Sequence, residues 1–270
     1  WNFTPFRITA PQDVVIQNTS IYAQHGTGDV INVGVTIVFS VLLAWLIGNK
    51  FKNYTILLLP IIVIIIGGSL GLLVLPYVKA VTGLIGAGIK TFTLLQPILM
   101  GGLMGIAFAV LICSPISSVG IAAAIGITGI ASGSANLGIT AGAFTLAIMG
   151  SSVNSLGTVI AHFFGTPKIQ MGNMLEKPIL YLPVAISSAI MGGLGAVFDI
   201  QGTPMSAGFG FSGLVGPLTA YGFMAPGWLS ILSLSCLFVA LPVLLGYLMK
   251  YIFIDKRKLI SATDLLLKTD

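Results

Sequence analysis

Charge is the scarcest property of this chain. Only 7% of its 270 residues are Asp, Glu, Lys or Arg, against about 25% in ordinary soluble domains. A solvated surface wrapped around a conventional core is therefore excluded. Cysteine and histidine are scarce too, two of each, which leaves neither a disulfide framework nor a multi-histidine metal site. Cys113 and Cys236 both sit in apolar runs and read as small buried hydrophobes. No nucleophile–base–acid set is visible, and no glycine-rich nucleotide loop joins a strand to a helix. The reading is of a chain with no catalytic centre, no metal and no cofactor of its own. The net charge of +5 is scattered rather than gathered in a patch, so nucleic acid is not an expected partner.

What is abundant is apolar. Hydrophobic residues make up 56% of the chain, and the mean hydropathy is +1.05. Several uncharged runs approach the roughly 20 residues needed to cross about 30 Å of hydrocarbon. The pattern predicts an all-α polytopic membrane protein with broken helices and re-entrant loops, in contact with a lipid bilayer. Spans are expected at 32–47, 54–78, 97–113, 179–198 and 228–254, the last kinked at Pro242. Residues 79–96 read as a separate amphipathic helix lying in the membrane interface. Residues 116–131 and 137–152 read as two short segments broken apart at Ser132-Gly-Ser-Ala-Asn136. In domain terms, 1–28 is a polar N-terminal segment, 29–254 the transmembrane domain and 255–270 a short cytoplasmic tail. Because the chain opens on Trp1, the polar segment is expected to be the remainder of a truncated region.

The basic residues serve as topology markers. With Lys50 and Lys52 in the cytoplasm, following the crossings brings Lys168, Lys177 and Lys256-Arg257-Lys258 to the same side and Asp199 to the other. Lys79 and Lys90 oppose the rule. Glycine is plentiful, 34 residues, and Gly67, Gly71, Gly101, Gly105, Gly192 and Gly195 fit close helix packing through small-xxx-small contacts.

Packing does not account for the glycines that cluster with Pro, Ser, Thr and Asn. The stretch from Asp199 to Pro217 holds five glycines and two prolines between strongly apolar neighbours, too many for a continuous helix. At membrane depth, non-helical backbone survives only where protein or a wet cavity satisfies its polar groups. Ser114-Pro-Ile-Ser-Ser118, Ser132–Asn136 and Gly165–Asn173 share the character. Hydroxyls, amides and backbone groups suit a neutral, hydroxyl-bearing solute. The candidate contacts are Gln201, Thr203, Ser206 and Asp199, faced by Ser132, Ser134 and Asn136. Gly202, Pro204, Gly208, Gly210, Gly213, Pro115, Thr166 and Gln170 would shape the pathway, and His162 is a possible ionisable member.

At these residues the sequence resembles a family. Ser114-Pro-Ile-Ser-Ser-Val-Gly-Ile-Ala122, Gly165-Thr-Pro-Lys-Ile-Gln-Met171 and Gln201-Gly-Thr-Pro-Met-Ser-Ala-Gly-Phe-Gly-Phe-Ser-Gly-Leu-Val-Gly-Pro217 look like the phosphotransferase-system enzyme IIC-like family, type 2, which includes perfringolysin-regulator-like membrane proteins. The resemblance implies an enzyme IIC-like fold in the bacterial cytoplasmic membrane. It implies a homodimer, and a sugar-like solute moved in concert with IIA and IIB phosphotransferase proteins. The regulator label implies an alternative, a membrane sensor that binds such a solute without moving it. Relatives carry a Gly-Ile-Thr-Glu-Pro motif at the sugar site. The counterpart here, Asp199-Ile-Gln-Gly-Thr-Pro204, has Gln201 and no glutamate at that point, which puts coupled phosphorylation in question.

Overall fold

In a computed structural model of the chain, residues 3–6, 21–24, 30–48 and 50–267 are described. The rest of the polar 1–28 segment and the last three residues of the tail lie outside them. The chain forms two compact units, residues 1–81 and 82–270.

In the first unit, β1 (Phe3–Phe6) and β2 (Ile21–Gln24) pair antiparallel, Phe3 opposite Gln24 and Phe6 opposite Ile21. Helix α1 (Val30–Ile47) ends at Gly48, which turns through φ +49°. Helix α2 (Thr55–Ile62) carries Pro60, which removes one helical hydrogen bond, and a π turn follows at Val63–Gly67. Helix α3 (Gly68–Phe92) continues from it without a break. Gly67 and Gly71 let this helix lie against α1, where a Cβ at Gly71 would stand 2.1 Å from Thr36 Oγ1. Asn32 Nδ2 donates to Gly71 O at 3.0 Å across the same contact.

The run of helix corrects one expectation. Residues 79–96 are not a separate element, because Lys79 lies in mid-helix and α3 reaches Phe92. The helix runs through Pro76 without ending there, and the glycines at 83, 86 and 88 are tolerated inside a helix long enough to hold them. Leu58–Ile89 is accordingly one 32-residue stretch apolar enough to cross a membrane. Pro178–Val197 and Trp228–Lys256 also meet that test by length and composition.

The second unit is built around α4 (Pro97–Ile112), α6 (Gly129–Met149) and α9 (Tyr181–Val197). Between them lie α5 (Ser118–Ile125), α7 (Leu156–Phe164) and α8 (Met171–Glu176). After α9 come α10 (Val215–Phe223), α11 (Trp228–Ser235) and α12 (Leu241–Lys250). A π turn at Cys236–Ala240 takes up the bond that Pro242 cannot make to Phe238, so the kink expected at Pro242 falls there.

Helix α6 is the axis of this unit, buried from Ala131 to Met149. Gly101, Gly105 and Gly192 bring α4 and α9 into backbone contact, while Gly195 lets α9 lie against Ser134 of α6: a Cβ at Gly105 would meet Ser188 O at 2.3 Å, and one at Gly192 would meet Gly101 O at 2.2 Å. Buried hydroxyls stitch α9 to α6, with Thr145 Oγ1 donating to Ser187 Oγ at 2.9 Å and Ser188 Oγ to Gly138 O at 2.7 Å.

A second correction follows. Ser132–Asn136 is not a break but the first part of α6. Serine, glycine and asparagine are weak helix formers, yet tertiary contacts outweigh propensity here, where Ser132 and Asn136 each bond a remote segment of backbone. The interruption sits six residues earlier, where Gly126 (φ +66°) closes α5 and Gly129 (φ +60°) opens α6.

Candidate functional site

The break between α5 and α6 meets the end of α9. Helix α9 stops where Ile200 N donates back to Gly195 O at 2.8 Å. Asp199 turns through a left-handed conformation, φ +51°, which aspartate tolerates better than most side chains. Gly202 and Gly129 then exchange two backbone hydrogen bonds, Gly129 N to Gly202 O at 2.9 Å and Gly202 N to Gly129 O at 3.0 Å. This short antiparallel bridge fixes the residues on either side of it. Above it opens a cleft of about 500 Å³, lined by Met100 and Thr93, the turn from Ile125 to Ala131, and Asp199 and Gln201. Gln201 Nε2 donates to Asp199 Oδ2 at 3.0 Å.

Beneath the cleft the segment does not leave the protein. Thr203 N donates to Ser206 Oγ at 2.9 Å while Ser206 N donates to Thr203 Oγ1 at 3.1 Å, a closed pair around Pro204. Ser132 Oγ, inside α6, donates to Thr203 O at 2.8 Å. The chain then runs along α6: Ser118 Oγ donates to Gly208 O at 2.8 Å, and Gly210 N donates to Asn136 Oδ1 at 3.1 Å. Both glycines have positive φ, +96° and +62°. At Gly208 a Cβ would stand 2.7 Å from Val119 N, so glycine is required there on two counts. Phe211 meets Phe144 edge to face at 5.5 Å, and Ser212 Oγ donates to Gly165 O. The backbone polar groups named here are satisfied by protein rather than by solvent.

The predicted residues therefore separate into layers. Asp199 and Gln201 line the cleft. Thr203, Ser206 and Ser132 bond to one another below it, with Gly202 and Pro204 in the same turn. Asn136 and Ser134 lie deeper, 1% and 0% exposed; Ser134 Oγ has no hydrogen-bond partner among the described residues. Gly213 (φ +56°) sits in the turn that leads back into α10. His162, 2% exposed, holds Thr158 O through Nδ1 at 2.7 Å.

Pro115, Thr166 and Gln170 are not near the cleft. Met100 near the start of α4 lines it, whereas Pro115 follows the end of that helix at Ile112, about 18 Å further along the axis at 1.5 Å per residue. There Lys168 Nζ donates to Ser114 O and Ile116 O, and burial lowers its pKa from the ordinary lysine value. Thr166 Oγ1 accepts from Lys168 N. Gln170 Nε2 donates to Leu265 O at 2.9 Å, part of a clasp in which Asn154 and Asn173 also bond the 265–267 backbone. Lys177 pairs with Asp264 beside it. Burial works to raise the Asp264 pKa, but Lys177 and the Ser261 N–H hold its carboxyl below the ordinary range.

Sequence reasoning missed Thr93, Met100 and the turn at Gly126-Ile-Thr128. A signal for the turn was present, since those three residues repeat the opening of the Gly-Ile-Thr-Glu-Pro motif and are followed by another glycine. Nothing local marked Thr93 or Met100.

Among curated proteins, the redox-sensing transcriptional repressor Rex of Bacteroides fragilis is 74% identical over 23 residues, which is 8% of this chain and 10% of that protein. Rex of Porphyromonas gingivalis is 71% identical over 24 residues, 9% of this chain and 11% of that protein. The chain thus spans about a tenth of the length of these relatives. No solved structure matches the chain. The sequence profile described as phosphotransferase system, EIIC matches residues 9–267, nearly the whole length. The chain belongs to the phosphotransferase system EIIC family.

Proposed function

We propose that the chain translocates a neutral sugar or polyol and that the cleft beside Gln201 is where the solute binds. The observation that carries this reading is the meeting of two backbone breaks, 126–129 and 199–202, at one cleft. Its volume, about 500 Å³, falls within the roughly 300–1,000 Å³ typical of small-molecule sites. Broken helices facing each other around a polar hollow are a recurring way to build a transporter site.

In this reading Gln201 and Asp199 contact the solute, with Thr128 beside them. Thr203, Ser206 and Ser132 hold the Gln201 turn in place, and Asn136 anchors the glycine run below. The segment from Asp199 to Pro217 acts as a re-entrant arm, its backbone sheltered by α5 and α6. The protein works as a multi-pass homodimer in a bacterial cytoplasmic membrane. Gln201 can bond a hydroxyl but cannot accept its proton as a base, which leaves the Asp199 carboxylate, among the described residues, as the one group of the cleft lining able to do so.

The test is Gln201→Ala in purified protein and in liposomes. Loss of solute-dependent thermal stabilisation and of labelled-sugar flux, with expression and fold retained, is the expected result. Unaltered flux removes the site assignment, and binding by the parent protein without any flux would convert the reading to that of a membrane sensor.

A further inference from the structure

The cleft contains one full charge and an amide whose orientation that charge determines. A carboxylate only accepts hydrogen bonds, so the Gln201 nitrogen must face Asp199 Oδ2 and its oxygen must face away. Among the described residues, Gln201 Oε1 and Asp199 Oδ1 have no hydrogen-bond partner, and the lining holds no lysine, arginine or histidine. What the pair presents is mainly acceptors. Such a surface suits solutes that bring donors, and a diol brings two.

One feature works the other way. The first turn of α6, Gly129 to Ala131, lines the same cleft, and Thr128 caps it with no side-chain bond. A helix N-terminus carries roughly half a positive charge. Asp199 carries a full negative one, so the two together leave the cleft negative. Removing the carboxylate would leave the helix end uncovered and reverse the sign.

We propose that Asp199 is a specificity-determining residue: by charge, and by orienting Gln201, it makes the cleft accept uncharged polyhydroxy solutes and reject their phosphorylated forms. The inference rests on the cleft being the solute site. Its consequence for a phosphotransferase transporter is direction, since a solute that has gained a phosphate no longer fits the site that took it in. A phosphate monoester carries nearly two negative charges at neutral pH. At a separation of about 5 Å in a partly solvated site, repulsion from one carboxylate amounts to at least about tenfold in affinity.

The experiment uses the whole chain in detergent and measures binding of neutral hexoses and hexitols, each beside its own 6-phosphate, by thermal shift and calorimetry. The expected result is a neutral member that binds at least about tenfold tighter than its phosphate, with the ratio shrinking as salt is raised. In Asp199→Asn the ratio should collapse or invert. Asparagine tolerates the left-handed backbone at this position, so the variant should fold, and its melting temperature without solute checks this. Equal binding of sugar and sugar phosphate by the parent, or an unchanged ratio in Asp199→Asn, overturns the inference while leaving the site in place. If no member of any pair binds, the site assignment itself fails, and the inference falls with it.

Discussion

Gly133→Ala gives the sharpest test of how the core serves the cleft. Gly133 lies one helical turn into α6, and a Cβ built on it would stand 1.9 Å from Ile200 O and 2.5 Å from the carbonyl carbon. Contacts under 3.0 Å essentially do not occur, so Ile200 must retreat by about 1.1 Å. Because Ile200 is 1% exposed and sits between Asp199 and Gln201, the shift cannot be absorbed by a surface loop. Overpacking of this kind costs about 1–3 kcal/mol, or roughly 2–10 °C of melting temperature for a chain of this size. The functional loss should be larger in proportion, since misplacement by about 1 Å at a positioning element costs on the order of a hundredfold. Gly172→Ala is the control, with nothing within 4 Å of its added methyl. Both variants would be melted in detergent and then titrated with the solute that stabilises the parent. A Gly133→Ala protein that melts and binds like the parent would refute the argument that α6 sets the position of Gln201.

Other outcomes follow from the same geometry. Asn136→Ala leaves the buried Gly210 N–H without its acceptor, a loss of about 1–3 kcal/mol, and the melting temperature should fall while expression persists; no change would mean that the glycine run is not held by α6. For the clasp at 264–267, the depressed carboxyl of Asp264 stabilises the folded form above the unfolded-state value of about 3.9 and loses that contribution as pH falls through its lower folded value. Amide exchange at Leu265 to Leu267, corrected for intrinsic rate, should stay slow from pH 8 to 5 and quicken only below about pH 4, with Asp264→Asn fast throughout. Protection already lost at pH 6 would show that the Lys177 pair does not hold the segment.

Much of this architecture was legible in the residues. The runs at 32–47, 97–113, 179–198 and 228–254 became helices with nearly those bounds, because apolar length and terminal glycines or prolines act locally. The six packing glycines were readable for the same reason: a missing side chain every third or fourth residue lets another helix approach closely whichever one supplies the contact. The first part of α6 was not legible. Ser132, Ser134 and Asn136 look like a loop until one knows that Thr203 O and Gly210 N stand beside two of them, and those partners lie about 70 residues away in sequence. The cleft was half visible. Asp199 and Gln201 announced themselves through the glycines and prolines that follow, but Thr93 and Met100 enter only through convergence in space, which no spacing along the chain records.

The segment from Gly165 to Asn173, which leads from α7 into α8, has a consequence for the whole second unit. Gly165 receives Ser212, Lys168 grips the chain just before α5, and Gln170 and Asn173 hold the backbone at Leu265 and Leu266. Three remote stretches are thereby wired in series through nine residues. The backbone at Leu265 and Leu266 and the arm that carries Gln201 thus share one anchor.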